Sequence, residues 1–305
     1  MYDIIGDIHG HADTLEQLLQ KLGYENIEGF YRHPNRKVIF VGDYIDRGPK
    51  IRETLELVKA MADNDQAIAL MGNHEFNAIL YNLQDAAGNY LREHSEKNQH
   101  QHIHTLEQFA CNMQEYHQYI SWFKTLPLFY EDKQIRVVHA CWDEEHIHSL
   151  QNALPEGRLT DQLLLNEYQK GTPLYEALEV TLKGKELQMP DRLTFRDKDG
   201  HERTELRIKW WMNPDKVTYR QYSVQHYDSL TDQEIPAELI NNQKYYPESM
   251  KPVFFGHYWL PGSAELSVYE KNVCCVDYSV ANKGKLVAYR WNGETSLDHR
   301  NMHHI

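Results

Sequence analysis

The amino-terminal half of the chain alternates short runs of consecutive apolar residues with longer segments in which apolar residues recur every three or four positions. The apolar runs at 2–5, 37–41 and 67–71 predict buried β-strands, because strands covered on both faces are apolar throughout. The segments 11–22 and 51–62 between them have the spacing of amphipathic α-helices. This βαβ order predicts an α/β fold with parallel strands and helical cover.

The next part of the chain is predicted to be helical. A third helix is predicted over residues 74–83, and residues 105–126 have the pattern of one long helix with an aromatic side. Between them, residues 89–104 are polar and include His94, His100, His102 and His104. We interpret this stretch as a solvated loop or helix face rather than a metal-storing cluster.

The region 144–251 differs from what precedes it, and we predict that it is an insertion forming a lid or substrate region within a single domain, 1–305. A turn is predicted at residues 197–200, where charged residues end in a glycine. The apolar runs at 273–276 and 285–291 predict strands of a second sheet.

Each predicted strand ends next to an oxygen or imidazole side chain, and glycines flank most of these side chains. Two further apolar runs end at histidines, which completes a set of six candidate metal ligands: Asp7, His9, Asp43, Asn73, His139 and His257. Such ligands suit divalent ions such as Mn, Fe, Zn or Ni. Six are too many for one catalytic ion with open positions, but they suit two ions about 3.5–4 Å apart that share a carboxylate. We expect the glycines to permit sharp turns and the approach of a bulky anion.

Three motifs indicate a family. GDxHG at 6–10, GDxxDRG at 42–48 and GNHE at 72–75 together resemble the calcineurin-like metallophosphoesterases, in their phosphoprotein-phosphatase branch. That branch also includes the symmetrical diadenosine tetraphosphatases, and the His-Ala pair at 139–140 resembles its bacterial members. The resemblance implies a β-sandwich of two mixed sheets flanked by helices.

The resemblance also implies the division of the ligands. Asp7 and His9 would hold the first ion and Asp43 would bridge the two. The second ion would be held by Asn73, His139 and His257. Both ions would be divalent, with Mn as the first choice and Fe, Zn or Ni as alternatives, and a hydroxide bridging them would attack phosphorus.

Further roles follow from the same resemblance. His74 would protonate the leaving group as a general acid, Asp46 would orient its imidazole, and Arg47 would hold phosphate oxygens with its planar fork. A second phosphate-binding cation is expected between the two late histidines, and we favour Arg207 and Lys209 over Arg158 and Arg203. Glu75 is expected to cap a helix or pair with a cation, and Asp277 to support His257 or form a turn.

Trp210 and Trp211 follow these two cations. Their rings would either stack on a nucleobase of the substrate or pack inside a half-buried strand. The sequence alone leaves both interpretations open.

Composition restricts the partners. The net charge of −13 and the pI near 5.7 argue against binding of long duplex nucleic acid, because such binding depends on neutralising phosphates. The four cysteines form no CxxC pair, which favours a reducing cytoplasm. Because the chain opens directly on a predicted strand, we expect no signal peptide. No apolar run approaches the length of a membrane span, so we expect no membrane contact.

The function predicted first is hydrolysis of phosphomonoesters, as in protein serine/threonine phosphatases. The alternative is a phosphoanhydride hydrolase acting on diadenosine tetraphosphate or another dinucleoside polyphosphate, or a phosphatase of nucleic-acid ends. The remote alternative is a non-catalytic scaffold. A scaffold predicts a missing acid or ligand, whereas His74, Asp46 and Arg47 are all present.

Overall fold

The computed structural model describes residues 1–190, 193–196 and 202–305. The first elements in chain order are β1 (Tyr2–Ile5), α1 (Ala12–Lys21), β2 (Glu25–Ile27), β3 (Phe30–Arg32), β4 (Lys37–Phe40), α2 (Ile51–Asp63), β5 (Ala67–Ala69), α3 (Asn73–Asn82), α4 (Glu96–Phe109), α5 (Met113–Phe123), β6 (Phe129–Glu131) and β7 (Arg136–Val138). They are followed by α6 (Glu144–Ala153), α7 (Asp161–Glu167), α8 (Pro173–Lys183), β8 (Glu186–Gln188), β9 (Phe195–Arg196), β10 (Glu202–Arg203), β11 (Glu205–Arg207), α9 (Tyr219–Tyr222), α10 (Ala237–Ile240), β12 (Val253–Phe255), β13 (Val273–Cys275), β14 (Asp277–Tyr278), β15 (Lys285–Trp291) and β16 (Met302–His304). The turn predicted at 197–200 lies outside the described residues.

The larger sheet has the strand order β14–β15–β1–β4–β5, with β16 also beside β15. Strands β1, β4 and β5 are parallel, with Ile5 opposite Phe40 and Phe40 opposite Ala69. Parallel neighbours need crossover connections; α1 lies in the first and α2 in the second. The βαβ order predicted from the hydrophobic pattern is confirmed, and the carboxyl ends of the three strands meet at one edge.

The smaller sheet has the order β13–β12–β7–β6. Strand β12 is parallel to both β7 and β13, whereas β6 and β7 form an antiparallel hairpin. The prediction that both carboxyl-terminal runs belong to the second sheet is wrong for 285–291. That run is β15, which pairs antiparallel with β1 in the larger sheet. A hydrophobic run predicts a strand but does not specify its partner.

The two sheets pack face to face. Ile4 and Ile39 of the larger sheet and Val137 and Phe254 of the smaller belong to one buried cluster. The opposite face of the larger sheet, including Ile5, packs against α1 and α2. This arrangement confirms the predicted α/β sandwich of two mixed sheets flanked by helices. Within the described part of the chain, no helix has the length and apolarity needed to cross a membrane.

The helix predicted over 105–126 is wrong, because two helices occupy this region. Helix α4 starts earlier, at Glu96, and ends at Phe109. The side chain of Asn112 then accepts a hydrogen bond from the backbone N–H of Glu115, which caps the start of α5. An asparagine at this position favours a helix start over helix continuation. Because α4 starts at Glu96, residues 96–104 of the polar stretch lie inside a helix.

Residues 144–251 form two structural parts. Helices α6 and α8 contact one another, and their Leu150 and Leu178 belong to the same core as α1 and α2. Further along, Leu206, Ile208 and Tyr219 belong to a separate core. This second part includes two antiparallel strand pairs, β8 with β11 and β9 with β10. The role of residues 144–251 as a lid stays a prediction.

Candidate active site

The predicted ligands converge where strands of both sheets end. Asp43 belongs to two groups of potential metal ligands, one with Asp7 and His139 and the other with His9 and His74. Within each group the ligand atoms lie within 4.8 Å of one another. A carboxylate shared by two groups is the arrangement that a bridging ligand requires, although the bridging role itself stays a prediction. His74, which we predicted as an acid rather than a ligand, is itself a member of the second group.

Asn73 connects the remaining predicted ligands. Its Oδ1 lies 2.9 Å from Nε2 of His139 and 2.8 Å from Nδ1 of His257. The backbone N–H of His257 donates to Oδ2 of Asp7 at 3.0 Å. The structure therefore brings all six predicted ligands together, although they span most of the chain.

The side chains around Asp43 fit metal ions. Oδ1 of Asp7, Nε2 of His9 and Nε2 of His257 are buried and have no hydrogen-bond partner among the described residues. Buried polar atoms without partners are rare, because leaving them unsatisfied is costly. His9 and His139 each place Nδ1 close to a backbone carbonyl oxygen, at 2.8 and 2.9 Å. This contact fixes the ring and directs Nε2 to the centre, as in histidines that bind metals. The donor set thus fits divalent cations.

The backbone at the site is held in an unfavourable conformation. His9, Asp43 and His257 have positive φ angles of 45°, 54° and 71°, which side-chain-bearing residues seldom adopt and which cost about 1–3 kcal/mol each. A Cβ added at Gly256 would lie 2.0 Å from Oδ1 of Asp7. Glycine is needed at this position because the carboxylate of a predicted ligand approaches the backbone.

Like charges crowd the centre. Burial, followed by the negative charges of Asp277 and Asp43, raises the pKa of Asp7 well above its usual range. Burial, followed by the charge of neighbouring His74, lowers the pKa of His9 to about 3. Clustered carboxylates beside neutral imidazoles are an environment in which bound cations relieve repulsion.

His74 lies at the edge of this centre, paired with Asp46. Its Nδ1 is 2.5 Å from Oδ2 of Asp46, and its Nε2 is 3.9 Å from Oδ2 of Asp43. Burial lowers the pKa of His74, but the charge of Asp43 and the hydrogen bond to Asp46 outweigh burial, so the pKa is raised above its ordinary value. A histidine held in this way is suited to donate a proton from Nε2.

The Asp46 carboxylate has two further partners, both on α4. Oδ1 of Asp46 accepts hydrogen bonds from Nδ1 of His102 at 2.8 Å and from Oγ1 of Thr105 at 2.6 Å. Nε2 of His102 in turn lies 2.8 Å from the hydroxyl of Tyr116. The prediction that this polar stretch is only a solvated face is wrong for His102, which is buried. The three-residue spacing of His102 and Thr105, which places both on one helix face, was the signal available in the sequence.

Arg47 and Trp259 form the next wall. The guanidinium carbon of Arg47 lies 3.6 Å from the centroid of the Trp259 ring, and Nη2 is 3.3 Å from Nε2 of His74. Burial is the main cause that lowers the pKa of Arg47, yet an arginine stays charged at neutral pH. Sequence reasoning did not single out Trp259, which follows the ligand His257 by two residues.

A cavity of about 280 Å³ opens in front of His74. Among the described residues, its charged side chains are one carboxylate, that of Asp46, and four cations: Arg47, Arg92, Lys183 and Arg207. In a chain with a net charge of −13, a cavity whose charged side chains are mainly cationic is suited to an anion with several charges. Arg92 and Lys183 lie outside the three motifs, so no signal in the sequence pointed to them.

Of the two candidates for a second phosphate-binding cation, Arg207 lines the cavity and Lys209 does not. Nζ of Lys209 instead donates to the backbone carbonyl of Gln221 at 2.8 Å. Residues two apart in a β-strand lie on the same face of the sheet. Because β11 ends at Arg207, Lys209 lies beyond the strand and does not share the face of Arg207. Arg207 pairs with Glu186 at 3.4 Å.

The proposed base-stacking role of Trp210 and Trp211 is wrong. Their exposed fractions are 1% and 3%, and both rings pack against Phe255 of the smaller sheet. Nε1 of Trp210 also donates to the backbone carbonyl of Ala140 at 3.0 Å. The pair belongs to the core, which was the second interpretation left open by the sequence.

Glu75 and Asp277 hold backbone around the site. The buried carboxylate of Glu75 accepts hydrogen bonds from the backbone N–H groups of Asp43, Tyr44 and Gly72, which links two ligand-bearing loops. Asp277 accepts from the backbone of Trp259 and Ser279, as expected of a turn residue.

The chain belongs to the calcineurin-like phosphoesterase family, whose sequence pattern matches residues 2–258. This match confirms the resemblance drawn from the three motifs. The class of enzyme predicted from them, a metal-dependent hydrolase of phosphoric ester bonds, is the class that this family defines.

Among similar sequences are bis(5'-nucleosyl)-tetraphosphatases named PrpE and described as asymmetrical. The protein of Halalkalibacterium halodurans is 47% identical over 74 residues, which are 24% of this chain and 30% of that protein. That of Oceanobacillus iheyensis is 47% identical over 73 residues, which are 24% and 29% of the two chains. The matches thus cover less than a third of either relative.

The fold is also similar to a solved structure, a protein serine/threonine phosphatase from Saccharomyces cerevisiae with similarity to human phosphatase PP5. The TM-score is 0.51 at 14% sequence identity, covering 100% of this chain and 78% of that one. At this identity the likeness concerns the fold alone.

Proposed function

We propose that this protein hydrolyses a phosphoanhydride bond of a dinucleoside polyphosphate, with two divalent cations that we expect to be Mn²⁺. The single observation that best supports hydrolysis is the pair of ligand groups that share Asp43, one of which contains His74 hydrogen-bonded to Asp46. The relatives named as tetraphosphatases favour this substrate over the phosphoprotein that we predicted first.

The ligands for the cations would be those predicted from the motifs. Asp7 and His9 would hold one ion and Asn73, His139 and His257 the other, with Asp43 between them. When bound, two divalent cations supply positive charge for phosphoryl oxygens and acidify the attacking water. The unpartnered atoms of Asp7, His9 and His257 support this assignment.

The protein's own residues provide the remaining steps. When the bond between phosphorus and the leaving oxygen breaks, His74 donates the proton on Nε2 to that oxygen. Asp46 holds Nδ1 of the same ring and stabilises the charged imidazolium. Arg47 presents N–H groups to phosphoryl oxygens in a fork that matches their geometry.

The cavity supports a substrate with several phosphoryl groups. Its volume is about 280 Å³, and within the described part of the chain its walls present four cations and a single carboxylate. A phosphomonoester of a protein presents one phosphoryl group, whereas a dinucleoside polyphosphate presents several in a row. Because Lys183 and Arg207 each pair with a glutamate, the charges of Arg47 and Arg92 are the ones that favour the polyphosphate.

Asp43→Asn provides the test, since it removes the shared carboxylate while preserving side-chain shape. Purified wild-type protein with Mn²⁺ should release nucleotides from diadenosine tetraphosphate, and chelation should stop the reaction. The variant should bind fewer than two metal ions and lose activity. Retention of two bound ions and full activity by Asp43→Asn would contradict the assigned centre.

A further inference from the structure

Arg92 is a cation of the cavity wall whose partners are neutral. Nη1 donates to Oδ1 of Asn77 at 3.1 Å, and Nη2 donates to Oε1 of Gln101 at 2.7 Å. Among the residues that the structure describes, no carboxylate lies within ion-pair distance of this guanidinium. By contrast, Lys183 pairs with Glu179. Arg92 therefore lines the cavity without a direct ion pair to any carboxylate of the described residues.

This arrangement suits an anionic ligand. Arg92 is partly buried, and burial is the main cause that lowers its pKa, but arginine is not deprotonated in proteins. A guanidinium has five N–H donors, and the two bonds to amide oxygens fix its plane without neutralising its charge. A partly desolvated cation held in a fixed plane gains most from an incoming anion with oxygens spaced for a fork.

The position of Arg92 relative to the metal ligands is set by α3. Asn73 and His74 begin this helix, and Asn77, which holds Arg92, follows Asn73 by four residues. Four residues correspond to about 6 Å along a helix axis. All four of these side chains line the same cavity. An anion at Arg92 would therefore lie about one helical turn from the group bound beside His74.

We propose that Arg92, oriented by Asn77 and Gln101, binds a second phosphoryl group of the substrate, adjacent to the one that is attacked. This proposal deepens the proposed function and rests on it. It makes Arg92 a specificity-determining residue, because a substrate with a single phosphate does not reach it. The substrate class that follows is a chain of linked phosphates rather than an isolated phosphomonoester.

The test compares inhibitors that differ in phosphate number. Hydrolysis of p-nitrophenyl phosphate with excess Mn²⁺ is the reporter, and AMP and ATP are the competing ligands. Arg92→Gln should raise the inhibition constant of ATP by about 10–100-fold, the loss expected for charge-assisted hydrogen bonds. The inhibition constant of AMP and the turnover of p-nitrophenyl phosphate should stay unchanged.

Two variants serve as controls. Lys97→Gln removes one exposed positive charge from α4 outside the cavity wall, and it should leave the inhibition constant of ATP unchanged. Arg92→Lys keeps the charge but not the fork, so its inhibition constant should lie between those of wild type and Arg92→Gln.

The outcomes separate this proposal from the proposed function. An equal rise of both inhibition constants, or an ATP constant unaffected by Arg92→Gln, overturns the second phosphate site. A parallel fall in turnover of p-nitrophenyl phosphate also overturns it, because Arg92 would then support the catalytic centre itself. If the wild-type protein with bound Mn²⁺ turns over no phosphate ester, the proposed function fails instead.

Discussion

Replacing Asp46 by asparagine tests whether His74 acts as the general acid. The substitution preserves shape but removes the charge that accepts the hydrogen bond from Nδ1 of His74 at 2.5 Å. Metal ions bound at Asp43 would cancel the contribution of that carboxylate to the raised pKa of His74. Asp46 is then the main group that keeps His74 protonated.

The size of the effect follows from that hydrogen bond. A hydrogen bond to a charged group contributes about 1.5–3 kcal/mol, which corresponds to a fall of about 1–2 units in the pKa of His74. A general acid acts in its protonated form, so activity is present below this pKa and is lost as pH rises through it. In the Asp46→Asn variant, the alkaline limb of the curve of activity against pH should therefore move to lower pH by about 1–2 units.

The assay compares leaving groups. Above the pKa, kcat/KM for phenyl phosphate, a poor leaving group, should fall about 10–100-fold. The rate for p-nitrophenyl phosphate should change little, because its leaving group needs no proton. Since Asp46 acts through His74, the double variant Asp46→Asn/His74→Asn should be no slower than His74→Asn alone. Equal losses for both substrates, or additive effects in the double variant, would refute this role of Asp46.

Three further predictions concern residues around the centre. His102→Leu removes one of the two donors that fix the Asp46 carboxylate, so His74 is held less firmly and phenyl phosphate hydrolysis should slow, whereas p-nitrophenyl phosphate hydrolysis should change little; an unchanged rate for phenyl phosphate would show that His102 does not position Asp46. Gly256→Ala should displace the carboxylate of Asp7 and reduce the metal content measured by mass spectrometry, whereas two retained ions would contradict it. Trp210→Ala should lower the free energy of unfolding by about 3–5 kcal/mol in a denaturant titration, as expected for a buried ring; an unchanged midpoint would show that the ring is not core.

Much of the fold could be predicted because its central part follows local patterns. Apolar runs followed by ligand motifs identified β1, β4 and β5, and the βαβ pattern predicted that they are parallel. The pairing of β15 with β1 could not be predicted, because hydrophobic strands of similar length do not encode their partners. The break between α4 and α5 was missed because an apolar helical pattern continues across a capping asparagine at residue 112.

The site residues likewise divide into those that the sequence could predict and those that it could not. The six ligand positions and His74 lie in motifs, so sequence placed them and the structure brings them together. His102 and Arg92 lie outside the motifs, and their proximity to Asp46 and the cavity depends on how α4 and its preceding loop pack against α3. The sequence could not show that Lys209 bonds to Gln221 instead of lining the cavity, because its position depends on where β11 ends.

The most direct test of the account is a substrate comparison with the wild-type protein and Mn²⁺. Values of kcat/KM would be measured for diadenosine tetraphosphate, a phosphoserine peptide, a 5'-phosphorylated oligonucleotide and p-nitrophenyl phosphate under identical conditions. We expect the highest value for diadenosine tetraphosphate. A higher value for the peptide or the oligonucleotide would contradict the proposed substrate, and no turnover with two metal ions bound would favour a non-catalytic scaffold.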